Sequence, residues 1–254
     1  MILDAFRLDG KVAVVTGSAT GLGQGMAVGL AEAGADIVGI VHHSSADETS
    51  KKVRAAGREF LALQADLGSI DPIDNIITRA EEKFGHLDIL VNNAGIIRRN
   101  RAEEFTVADW DAVMNVNLRT LFFLTQAFAK HLIANKRRGK IINVCSMLSY
   151  SGGILVSPYT ASKSAVAGLT RLLANEWAKY GINVNGIAPG YMATANTAPL
   201  RADEDRNKEI LSRIPLDRWG LPDDLKGAAV YLASPASDYV TATILRVDGG
   251  WLTR

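Results

Sequence analysis

Three residues in the middle of the chain have types and spacing that suit chemistry at a carbonyl. Ser146 precedes Tyr159 by thirteen residues, and Lys163 follows the tyrosine by four. If Tyr159 stands near the start of a helix, it and Lys163 are i,i+4 neighbours on one face and their tips can meet. An ammonium beside a phenol favours the phenolate, so an acid that ordinarily titrates near ~10 can exchange a proton at moderate pH. Ser146, delivered by a preceding strand, can hydrogen-bond the same substrate oxygen that Tyr159 protonates or deprotonates. Taken one by one, these are also what a packed aromatic, an exposed lysine and a loop serine look like. The chemical reading requires a nucleotide cradle in the same chain.

The elements that must position these residues supply one. Residues 11–15 (KVAVV) read as a strand buried on both faces, residues 16–23 (TGSATGLG) as a glycine turn, and residues 25–34 as a helix. Backbone N–H groups and the positive helix end can accept a phosphate in such an arrangement. The spacing Gly17-x-x-x-Gly21-x-Gly23 differs from the G-x-G-x-x-G dinucleotide fingerprint, so by spacing alone an ordinary turn stays open.

Further strands are expected at 36–41, 60–65, 88–91, 140–145, 183–188 and 243–247. Helices are expected at 47–56, 70–84, 106–134, 159–180, 201–213 and 223–232. This alternation with short links predicts a single α/β domain over 1–254: a Rossmann-type, doubly wound parallel sheet of seven strands flanked by helices. His42 and His43, Asp66, Asn92 to Gly95, Ser146 and Pro189-Gly190 then all fall at the carboxyl ends of strands, where ligands bind in such sheets.

Thr106 reads as an N-cap with Asp109 three residues on, and Asn115 and Asn117 need partners in so apolar a helix. The helices over 106–134 and 159–180 are apolar on more than one face, which predicts burial by the sheet on one side and by a second subunit on another. The segment near 191–215, with its charged helix, reads equally as a lid over the ligand edge or as a solvated surface.

Composition excludes several classes. The chain of 254 residues has 28 basic and 27 acidic side chains, and its longest basic run is the short KRR at 136–138, so no nucleic-acid footprint is expected. The single cysteine, Cys145, forbids an intrachain disulfide and reads as a small buried hydrophobe. No signal peptide or membrane span is read, and a soluble, cytoplasmic protein is the expectation.

Together TGSATGLG, NNAG at 92–95, Asn117 in MNVNL, Ser146 with YTASK at 159–163, and Pro189-Gly190 with Thr194 resemble the short-chain dehydrogenase/reductase family over essentially the whole chain. The resemblance implies Tyr159 as general acid/base, Ser146 on the substrate oxygen, Lys163 lowering the tyrosine pKa and holding the nicotinamide ribose, and Asn117 anchoring a water in a proton relay. No metal is implied.

For the cofactor it implies Gly17, Thr20, Gly21, Leu22 and Gly23 in the phosphate turn, His42 near the ribose, and Asp66 and Leu67 at the adenine. Asn92, Asn93, Ala94 and Gly95 are implied along the adenosine side, and Ile187, Pro189, Gly190 and Thr194 around the nicotinamide. NAD is the expected cofactor with NADP open. Val41, His42 and His43 stand where an acidic residue would mark NAD, and Thr20 stands where a basic one would mark NADP.

Longer stretches such as NNAGIIRR, IPLDRWGLP and the closing VDGGWLTR are similar to family members acting on deoxy keto-sugar acids. Reductases of acyl-carrier ketones and gluconate dehydrogenases share much of that scaffold. A homotetramer is also implied. A sugar-acid substrate needs a carboxylate partner, for which Arg98 and Arg99 rank first, ahead of Arg201, Arg218 and Arg254. Bridging of Arg98 and Arg99 to Glu103 or Glu104 is the competing reading.

Overall fold

The computed structural model describes residues 1–253. Seven parallel strands form one sheet: β1 (Val12–Thr16), β2 (Asp36–Val41), β3 (Phe60–Gln64), β4 (Ile89–Asn92), β5 (Gly139–Val144), β6 (Ile182–Pro189) and β7 (Ile244–Val247), in the spatial order β3-β2-β1-β4-β5-β6-β7. The order reverses between β1 and β4, which opens a crevice above their carboxyl ends. Alternation along the strands splits the apolar side chains into two layers. Ala13 and Val15 of β1 face Met26, Leu30 and Leu232, whereas Val12 and Val14 face Ile76, Phe128 and Leu173.

On the first face lie α1 (Gly21–Glu32), α2 (Asp47–Ala55) and, from near the C-terminus, α9 (Lys226–Ala233). The second face carries α3 (Ile73–Phe84), α5 (Leu121–Ala134) and α6 (Ser157–Trp177), and α4 (Val107–Met114) packs against α6. Two short helices, α7 (Ala198–Ala202) and α8 (Glu204–Arg213), follow β6.

The sequence predicts one helix over 106–134, but the chain makes two, joined by a π-helical turn at Asn115–Thr120. The extra residue in such a turn rotates the following stripe by about 100°. That is why the apolar positions cover more than one face: Val113 is buried before the turn, and Leu121, Leu124, Phe128 and Leu132 after it. The charged stretch over 201–213 is likewise two helices, because Asp203 leaves helical geometry and caps α8 by accepting from Arg206 N at 3.0 Å. The stretch over 223–232 opens with a 3₁₀ turn at Pro222–Leu225, and the N-terminal 3₁₀ turn Ile2–Phe6 has no counterpart in the sequence reading.

Beneath the crevice four buried polar side chains tie two strands to two helices. Asn92 Nδ2 donates to Thr125 Oγ1 at 2.7 Å and to Asn143 Oδ1 at 2.9 Å, and Asn143 Nδ2 donates to Thr170 Oγ1 at 3.0 Å. Asn92 is only 3% exposed, and its side-chain amide is committed to this interior set.

Candidate active site

The glycine turn begins where β1 ends. Gly17 and Gly21 have φ of +64° and +57°, a region that an L side chain enters only with strain. A Cβ on Gly23 would stand 2.1 Å from the Gly17 carbonyl oxygen and 2.4 Å from Asn93 Nδ2. Only glycine lets α1 start this close to the turn, and its first N–H groups then face the crevice edge.

NNAG is fastened to the same corner. Asn93 N and Ala94 N both donate to Thr16 Oγ1 at 2.9 Å, and Asn93 Nδ2 donates to Thr16 O at 2.9 Å and Gly17 O at 3.2 Å. Asn93 thus spends its amide on the turn itself. Thr16, the first residue of the glycine motif, holds both segments through one hydroxyl.

These residues fit a dinucleotide. The turn bends through Gly17 and Gly21 at positive φ into the start of α1, whose N–H groups can meet a phosphate, and His42 after β2 stands 3.6 Å from Asp66 after β3. His42 and His43 stack with ring centroids 3.6 Å apart. No acid stands at the end of β2 to claim the ribose, as the sequence already indicated.

Ser146 follows β5 and caps the 3₁₀ turn Met147–Ser149, its Oγ accepting from Leu148 N at 3.1 Å. That leaves its hydroxyl proton free to donate. Tyr159 lies in the first turn of α6, and Lys163 follows on the same face with its nitrogen 5.7 Å from the phenol ring centroid. Burial raises the Tyr159 phenol above its usual range, while a hydrogen bond with Ser146 and the charge of Arg99 pull it back. Lys163 is 3% exposed and donates to Val144 O at 2.6 Å. Burial lowers its pKa to about 8. The ammonium is therefore turned toward the strand, and Ser146 and Arg99 are what oppose burial at Tyr159.

Asn117 lies in the π turn and pairs with one backbone unit: its Oδ1 accepts from Ile96 N at 2.8 Å and its Nδ2 donates to Ile96 O at 3.0 Å. The same amide donates to Ser162 Oγ at 3.3 Å, and Ser162 donates to Tyr159 O at 2.8 Å. Ser149 Oγ, which accepts from Ser146 N at 3.3 Å, donates to Lys163 O at 2.7 Å. Neither serine was singled out from sequence, although S-x-x-S at 146–149 is a capping spacing. Ile187 lies buried in β6, and Pro189-Gly190 ends that strand beside Asp248.

The arginines separate clearly. Arg98 pairs with Asp109 at 3.5 Å, a partner other than Glu103 or Glu104. Arg99 reaches across the crevice, its Nη2 donating to Asn196 O at 3.2 Å, and its charge is felt at Tyr159. Arg201 donates to Thr194 O at 3.1 Å, and Arg218 pairs with Asp224 through both terminal nitrogens at 2.7 and 2.8 Å. Arg254 lies outside the described residues. Among the described residues, no helix is long and apolar enough to cross a membrane.

Comparison with known proteins identifies the family and agrees with the fold. The sequence profile of the short chain dehydrogenase family matches residues 11–205. The chain is 64% identical over 254 residues to the 2-dehydro-3-deoxy-D-gluconate 5-dehydrogenase of Escherichia coli, covering 100% of both chains. It is 56% identical over 253 residues to the Bacillus subtilis protein of the same name, covering 99% of this chain and 98% of that one. Among solved structures, a gluconate 5-dehydrogenase from Burkholderia cenocepacia in complex with NADP and tartrate superposes with a TM-score of 0.93 at 42% identity, over 100% of both chains. The chain belongs to the short-chain dehydrogenase family and is an NAD(P)-dependent oxidoreductase.

Proposed function

We propose that the chain interconverts a ketone and a secondary alcohol on a deoxy keto-sugar acid, namely 2-dehydro-3-deoxy-D-gluconate and its 2,5-diketo form. The observation that carries this reading is the placement of Ser146 after β5, of Tyr159 and Lys163 on one face of α6, and of Arg99 reaching Asn196 with its charge toward Tyr159. Full-length relatives named for that substrate support it. The nicotinamide, when bound, supplies or takes the hydride; Gly17, Thr20, Gly21, Leu22, Gly23, His42, Asp66, Leu67, Ala94, Gly95, Ile187, Pro189, Gly190 and Thr194 would hold the cofactor.

In this reading Tyr159 gives or takes the proton at the substrate oxygen. Ser146 Oγ, fixed by Leu148 N, donates to that oxygen and stabilises charge as it develops there. Lys163, its ammonium held by the Val144 carbonyl 5.7 Å from the phenol ring centroid, would meet the cofactor ribose. Asn117, locked to Ile96, keeps the π turn against α6 and would hold the relay water. Arg99 takes the carboxylate through guanidinium N–H groups other than the one on Asn196. Segment 191–215 covers the substrate, and four copies assemble through the apolar faces of α4 to α6 and through α9 with β7.

The test is a substrate panel read by nicotinamide absorbance. Turnover of 2-dehydro-3-deoxy-D-gluconate at least tenfold above a neutral ketone or a β-keto thioester supports the reading. Preference for the thioester would replace it with an acyl-chain reductase.

A further inference from the structure

The closing motif Asp248-Gly249-Gly250-Trp251 has no place in the chemistry above, yet its position is tightly determined. Asp248 Oδ1 accepts from Gly250 N and Oδ2 from Leu252 N, each at 3.0 Å, and Trp251 N donates to Asp248 O at 3.1 Å. Gly249 and Gly250 have φ of +62° and +89°, and their Cα atoms back onto Ile214 and Pro215. This folds the tail into a compact turn directly against the end of α8.

Trp251 projects from that turn into the junction of three functional segments. It is 8% exposed and shares one buried apolar cluster with Met147, Ile210 and Ile214. Met147 comes from the residue after Ser146, and the two isoleucines from α8 and its end. Tyr191, immediately after Gly190, meets Trp251 edge-on at 4.7 Å and Trp219 at 5.4 Å. The Arg213 guanidinium lies over the Trp251 ring at 4.1 Å. Trp219 Nε1 meanwhile donates to Asn207 Oδ1 of α8 at 2.7 Å. Ile210 is the only buried residue of α8 itself, so the helix depends on this aromatic seat for its place.

We infer that Trp251 is a positioning residue for the substrate site, seating α8 against the loop that carries Ser146 and the loop that carries Tyr191. The inference rests on the reading that segment 191–215 covers the substrate. No residue of the glycine turn belongs to this seat, which adjoins the dinucleotide site only through Gly190 and through Thr194, packed against Gly21, so its effect falls mainly on substrate.

The full chain carrying Trp251→Ala, Trp251→Phe or Arg213→Ala is compared with the unaltered protein. Readouts are KM and kcat on the sugar acid, NADH affinity by fluorescence titration, and the rate of trypsin cleavage after Arg206 and Lys208. Trp251→Ala is expected to raise KM about tenfold and speed cleavage several-fold with NADH affinity within about twofold, and Trp251→Phe to restore most of both. Arg213→Ala, which leaves the ring in place, is expected to shift KM and cleavage in the same direction by about threefold. NADH affinity falling in step with KM would overturn the proposal, because the tail would then support the whole fold. So would wild-type KM and cleavage in Trp251→Ala or, where that variant does not fold, in Arg213→Ala. Should the unaltered enzyme ignore the sugar acid, the substrate reading fails, and the cleavage and NADH measurements still decide the role of Trp251.

Discussion

Replacing Lys163 by methionine separates what the lysine does for function from what it costs the fold. Its pKa drops from 10.5 to about 8 on burial, which corresponds to roughly 3 kcal/mol against the charged form at neutral pH. Methionine has similar length and carries no charge, so the substitution relieves that penalty. Against this, the Val144 carbonyl loses its donor at 2.6 Å, and a buried unpartnered acceptor costs about 1–3 kcal/mol.

Lys163→Met is therefore expected to lose turnover and cofactor affinity while its stability is unchanged or rises by up to about 2 kcal/mol. The pH dependence has a definite sign. Because the folded pKa lies below the unfolded one, the unfolded chain holds more protons between about 8 and 10.5, and the native lysine gains stability as pH rises through that window. Groups common to both proteins cancel in the comparison, so the advantage of the variant should shrink from neutral pH toward pH ~10. Urea denaturation at both ends of the window measures it. A variant less stable by more than about 1 kcal/mol at neutral pH, with a gap that ignores pH, would refute the argument that the buried ammonium is unfavourable.

Tyr159→Phe keeps the ring and deletes the proton donor, so turnover should fall about a hundredfold to ten-thousandfold while NADH titration stays unchanged; near-normal kcat would sink the mechanism. Arg99→Ala should lower kcat/KM on the sugar acid by about 1.5–3 kcal/mol and leave a neutral ketone nearly unaffected, whereas Arg98→Ala, which only frees Asp109, should do far less. Val107, Phe123 and Leu172 are 77, 36 and 49% exposed, and light scattering should report a tetramer that covers them; a monomer at assay concentration would contradict this. NAD should be preferred over NADP, since no arginine or lysine lies between Asp36 and Glu48 to meet a 2′-phosphate; the ratio of catalytic efficiencies decides it.

The strands were legible because β1, β2 and β4 are nearly unbroken apolar runs, which only a sheet covered on both faces explains. Ser146, Tyr159 and Lys163 could be found because their spacing is local and their types are uncommon together. The π turn at Asn115–Thr120 was not legible, since one inserted residue blurs a periodic pattern without interrupting it. Nor was the division of labour between neighbours. Arg98 and Arg99, or Asn92 and Asn93, differ only in which way each side chain leaves the backbone, and the twist of β4 and its loop decides that. Thr16, Ser149 and Ser162 act through single hydroxyls on distant segments, a role that composition does not mark.

The four-member polar set beneath the crevice constrains how this chain can change. Asn92, Asn143, Thr125 and Thr170 come from two strands and two helices, and each depends on a partner contributed by a different element. Removing one strands a buried group at about 1–3 kcal/mol, whereas replacing partners together by apolar groups of the same shape can be nearly neutral. Drift at these positions must therefore proceed in concerted steps, and any route through single replacements crosses a valley of lowered stability. The crevice above is shaped by loops that lie outside this constraint. Substrate preference can wander there, one residue at a time, over a floor that cannot.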